Sequence, residues 1–100
     1  MKIYIAGPIS GHDDYMEKFA AAEEKLKKEG HTVYNPAHAN SFMPEDTTYE
    51  EYMKVGFLLL DMADAVFLLK GWEKSCGANR ELGYAMARDY LIVKETEWDT

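Results

Sequence analysis

The order of apolar runs constrains this chain more than any single motif. Four short β-favouring stretches alternate with three helical ones. KIYIA, residues 2–6, stops at Gly7-Pro8 and reads as a strand. Residues 15–29 predict a helix capped by Asp13 or Asp14. Met16, Phe19, Ala20, Ala22 or Glu23, and Leu26 fall at helical spacing, and Gly30 is the stop. Residues 32–34 read as a second strand, ended by Asn35-Pro36. A loop then runs to Asp46-Thr47-Thr48, whose capping signal opens a second helix reaching about residue 62. DAVFLL, residues 64–69, is a continuous apolar third strand. A loop over 70–76 leads into a third helix over 77–88, a fourth strand over 90–93 and a polar tail.

The pattern is β-α-β-α-β-α-β. It predicts an α/β fold in three layers, a parallel sheet with helices on both faces and right-handed crossovers. Near-continuous apolar strands agree, because parallel strands are covered on both sides. At 100 residues the chain is expected to be one domain spanning 1–100. The flavodoxin/Rossmann-like strand order 2-1-3-4 follows, with its switch point between strands 1 and 3. Ligands of such sheets bind beyond the carboxyl ends of the strands at that point. The predicted site is therefore the loop after strand 1 together with the loop after strand 3.

Composition narrows the ligand. With 11 Lys+Arg against 18 Asp+Glu the net charge is −7, and no basic cluster exists for a nucleic acid polymer. A single small anion is still possible, since backbone N–H groups at a helix N-terminus need no net positive charge. One cysteine, Cys76, excludes an intramolecular disulfide. No apolar run nears the roughly 18 residues of a membrane span. MKIYIAG lacks the longer apolar region of a signal peptide, so a cytoplasmic address is expected. His12, His31 and His38 have no metal-ligand spacing, and neither metal nor cofactor is expected.

The first loop holds Gly7, Pro8, Ile9, Ser10 and Gly11. Its glycines permit close ligand approach or simply a tight turn. It is not GxGxxG, so a dinucleotide site has little support. In the second loop Ser75 and Gly77 stand where helix N–H groups favour an anion, although Ser75 also suits a plain N-cap. Trp72 either packs on the core or offers a flat face to a ring. Glu81, placed in the first turn or so of the third helix, is either a dipole-stabilised acid or a carboxylate over the cleft. Such a carboxylate can attack a sugar's anomeric carbon. Alternation puts Lys2, Tyr4 and Ala6 on one face of strand 1. A buried Tyr4 needs a partner for its hydroxyl, either backbone or a carboxylate such as Glu81. Tyr49, Tyr52, Met53, Phe57 and Leu60 form a stripe on the second helix that reads as core or subunit interface.

KIYIAGPISG, GHTVYNP, ADAVFLL and GWEKSCGANRELGYA, in that order, resemble the nucleoside 2-deoxyribosyltransferase-like superfamily, and most of all its small, often phage-borne members. The likeness runs from Met1 to about Val93. It implies cleavage or exchange of the N-glycosidic bond of a 2′-deoxynucleoside or its 5′-monophosphate, in homodimers or larger assemblies. It implies that Glu81 is the nucleophile, that Tyr4 holds it, and that Ser75 binds a 5′-phosphate, as in the related 2′-deoxynucleoside 5′-phosphate N-hydrolases. The loop from Gly7 to Gly11 is implied to contact sugar and phosphate, with Ser10 where the monophosphate hydrolases usually carry Arg. One departure stands out. The superfamily's usual helix-2 Asp, eight residues before Asp64, is Gly56 here. Asp61 lies about 140° further round the helix, and Glu50 or Glu51 would have to reach from a neighbouring turn. The alternative to an enzyme is a nucleotide-binding or sensing protein with the same cleft.

Overall fold

The computed structural model describes residues 1–98. Its centre is a four-stranded, all-parallel sheet in the order β2-β1-β3-β4, where β1 is Lys2–Ala6, β2 Thr32–Tyr34, β3 Ala65–Leu68 and β4 Leu91–Lys94. The order is the expected 2-1-3-4. β4 begins and ends one residue later than the apolar pattern suggests, and β3 loses one residue at each end.

Strand alternation builds two cores. Ile3 and Ile5 of β1 join Phe67 of β3 against Phe19, Ala22 and Leu26 of α1, which is Tyr15–Lys28. Tyr4 and Ala6 face the other way, with Val66 and Leu68, against Leu60 of α3 (Tyr49–Asp61) and Ala78 and Ala85 of α4 (Cys76–Ala87). Period-2 patterning on a buried strand thus feeds both helix layers. Met16 and Ala20, assigned to the apolar face of α1, are solvent-exposed.

Two helices lie where a loop and a tail were expected. Residues 36–40 form α2, Pro36–Asn40, with Asn35 as N-cap accepting from the His38 N–H and Pro36 at the first helical position. Asn35-Pro36 ends β2 as expected and also opens a helix, because Pro at that position has no N–H to lose and its φ suits a helix. After β4 the chain turns into α5, Glu95–Trp98, and Trp98 packs edge-on against Phe67 with ring centroids 5.0 Å apart. Two caps also differ in kind. Thr48 and Glu51 form a reciprocal capping box at the start of α3. Asp14 occupies the N-cap of α1 without capping through its side chain, which instead pairs with Lys18. No helix among the described residues is long and apolar enough to cross a membrane.

The loop after β1 is pinned to the end of β3. Leu69 N–H donates to the Ala6 carbonyl at 2.9 Å, and a Cβ on Gly7 would lie 2.8 Å from Leu69 Cβ. Gly7→Ala is therefore expected to destabilise the fold by about 1–3 kcal/mol. It should be read as a lower urea midpoint at unchanged m. An unchanged midpoint would mean that the loop shifts freely.

Candidate active site

A cleft of about 510 Å³ opens beyond the carboxyl ends of β1 and β3, within the size range of small-molecule sites. The loop after β1 supplies Gly7, Pro8, Ile9 and Ser10. The turn into α4 supplies Ser75 and Gly77, and Tyr4 and Glu81 also line it. Two predicted residues are not brought there. Gly11 lies outside the lining, and Trp72, in a short 3-10 turn over Trp72–Lys74, packs half-buried against the Tyr4 side of the core.

Glu81 is 7% exposed, and its Oε2 accepts a hydrogen bond from the Tyr4 hydroxyl. Of the partners open to a buried Tyr4, the carboxylate is the one it meets. Tyr4 itself is fully buried on the central strand. Burial raises the Glu81 carboxyl to about 7; the Tyr4 hydrogen bond, and then the Arg80 charge, pull it back only in part. Burial, followed by the Glu81 charge and the hydrogen bond, holds the Tyr4 phenol well above its usual value, so Tyr4 stays a donor. Glu81 is the sixth residue of α4, beyond its first turn. The helix dipole fades over that distance, so the dipole does not account for this acid. Gly56 of α3 completes the floor: a Cβ there would lie 2.7 Å from Glu81 Oε2 and 2.9 Å from the Tyr4 hydroxyl.

The other acids named from the sequence are engaged elsewhere. Glu50 pairs with Arg80 at 2.6 Å, Glu51 belongs to the α3 capping box, and Asp61 holds Tyr84 and Arg88. Among the described residues lining the cleft, Glu81 is the one carboxylate. Ser75 caps α4, its Oγ accepting from the Ala78 N–H at 3.1 Å. That bond uses an acceptor lone pair and leaves the hydroxyl proton available.

Several lining residues escaped sequence reasoning. Tyr49 and Tyr52, assigned to core or interface, wall the cleft from α3; Met53 of the same stripe is buried core, as expected, and also borders the cleft, Leu60 is core and Phe57 lies against Tyr84. Lys74 and His12 line it too. So does Asn40 at the end of α2, whose buried Oδ1 has no hydrogen-bond partner among the described residues. A buried acceptor left unpaired is uncommon and asks for a partner. Only the Asn-Pro helix start could have pointed to it.

A 2-1-3-4 all-parallel sheet with a cleft beyond its switch point makes this an α/β protein of the doubly wound kind. Its fold is similar to that of the 2-deoxyribosyltransferase from the psychrotolerant bacterium Bacillus psychrosaccharolyticus: TM-score 0.75, 23% identity, covering 94% of this chain and 71% of that one. Residues 1–94 match the family described as a domain of unknown function (DUF4406), and the chain belongs to it. No curated protein matches the chain.

Proposed function

We propose that this protein cleaves or exchanges the N-glycosidic bond of a 2′-deoxynucleoside 5′-monophosphate, with Glu81 as nucleophile. The observation that carries the reading is the Glu81–Tyr4 pair: a single buried carboxylate, oriented by a hydroxyl donor, on the floor of a nucleotide-sized cleft. The fold likeness to a deoxyribosyltransferase supports it.

A Glu81 carboxylate oxygen attacks C1′ and forms a glycosyl ester. The C1′–N bond breaks, its electron pair leaves with the base, and the base takes a proton from water. The hydroxide left behind then opens the ester and gives 2-deoxyribose 5-phosphate, or it takes the N–H proton of a second base whose nitrogen opens the ester and gives a new nucleotide. Either route returns the free carboxylate. The Ser75 hydroxyl, the amides at the start of α4 and Lys74 form the phosphate end. The unpaired Asn40 Oδ1 can accept an N–H from the ligand.

One observation favours a second reading. The described lining carries no further carboxylate to assist the leaving base, which suits a protein that binds nucleotide without turning it over. Incubation with each deoxynucleoside 5′-monophosphate, followed by chromatography of free base, separates the two. Base release above a protein-free control is the expected result. Thermal stabilisation by nucleotide with no base after long incubation would replace the enzyme reading with the binding one.

A further inference from the structure

We propose that Gly56 is a positioning residue: its bare backbone makes room on the cleft floor for the Glu81 carboxylate and the Tyr4 hydroxyl to meet, and in this chain a Cβ there would crowd both. The proposal rests on the Glu81 reading above. Gly56 is the eighth residue of the 13-residue α3. A glycine inside a helix is unfavourable relative to alanine, so its presence calls for a compensating contact. The Cβ distances of 2.7 Å to Glu81 Oε2 and 2.9 Å to the Tyr4 hydroxyl identify that contact. Of the two neighbours the Glu81 carboxylate is the one that can yield, by swinging into the cleft and away from the Tyr4 hydroxyl. The Tyr4 oxygen ends a rigid ring rooted in β1, and both residues are buried. Gly83 of α4 is the counter-case: it is exposed, and a Cβ there meets nothing within 4 Å.

A second consequence concerns the chemistry. In this chain the Cβ of an acid at position 56 would press on the carboxylate and hydroxyl already there. Gly56→Asp would therefore weaken turnover rather than improve it.

The test is a set of thermal midpoints. Gly56→Ala is made in the wild type and in a Tyr4→Phe, Glu81→Ala background, which removes both opposing polar groups; Gly83→Ala is the control. Gly56→Ala is expected to lower the wild-type midpoint by about 5 °C or more and to leave the background unchanged or higher. Gly83→Ala is expected to lower neither. Equal losses in both backgrounds, or no loss in the wild type, would overturn the proposal. If Gly56→Ala fails to fold alone, folding restored in the background supports it and failure in both overturns it. In kinetic assays Gly56→Ala and Gly56→Asp are each expected to lower kcat by about 100-fold with KM little changed. A Gly56→Asp variant as active as wild type would overturn it. A wild type that releases no base would remove the glycosidic reading alone, since the midpoints still decide the role of Gly56.

Discussion

Glu81→Ala is expected to cut base release by a factor on the order of 10⁴ or more while leaving the circular dichroism spectrum unchanged. The size follows from the role. A covalent nucleophile opens a path that direct attack by water does not share, and deleting it leaves only binding and orientation. The side chain removed is the one carboxylate among the described lining residues, so no neighbouring acid stands ready to substitute. The wild type should carry a second signature. Attack requires the ionised form, and the Glu81 carboxyl titrates at about 7. The value of kcat/KM should therefore rise with pH and level off above about 7, instead of near 4 as for an ordinary glutamate. Initial rates between pH 5 and 9 test both points. Residual activity within about tenfold of wild type would remove Glu81 from the nucleophile's role.

The fold was legible because its main signal is periodic. The β1 pattern assigned Tyr4 and Ile5 to opposite faces, and the two cores divide along that line. The Glu81–Tyr4 pair was legible in part: a buried tyrosine on a central strand needs a partner, which left backbone and a carboxylate such as Glu81 both open, and the family resemblance pointed to Glu81. What stayed hidden was geometry between elements distant in sequence. Nothing local to Gly56 reveals that Tyr4 and Glu81 press against it, because the contact joins positions 52 and 25 residues apart. The sequence showed a glycine where the superfamily it resembles has an acid; the structure puts Glu81 Oε2 and the Tyr4 hydroxyl 2.7 and 2.9 Å from where a Cβ would stand. Asn40 was hidden behind α2, a helix of five residues too short for any hydrophobic period. Tyr49 and Tyr52 were misassigned because an aromatic stripe looks the same whether it faces a core or a cleft.

Glu81→Gln is expected to stabilise the protein at pH 8 by about 3 kcal/mol and to change little near pH 4.5. The direction follows from proton counting. Below about 4.5 the carboxyl is protonated in both the folded and unfolded chains, so it contributes no pH slope. Between about 4.5 and 7 the folded chain keeps a proton that the unfolded chain has released, and stability falls as pH rises. Above about 7 both forms are ionised and the loss is complete. Glutamine is neutral throughout and can still accept from the Tyr4 hydroxyl, so it removes the slope and keeps the contact. Glu23, held below its usual value by Lys27 and Asn35 against its own burial, contributes a slope of the opposite sign. The comparison between variant and wild type cancels that term, because Glu23 is common to both. Urea unfolding at pH 4.5 and pH 8 gives the two differences. A gap of equal size at both values would mean that Glu81 is not held in its protonated form by the fold. A gap that opens with pH would place the destabilising charge on the same carboxylate that is proposed to attack C1′. A site of this kind trades stability for reactivity, and the glutamine variant should show both sides of that exchange, more stable at pH 8 and catalytically silent.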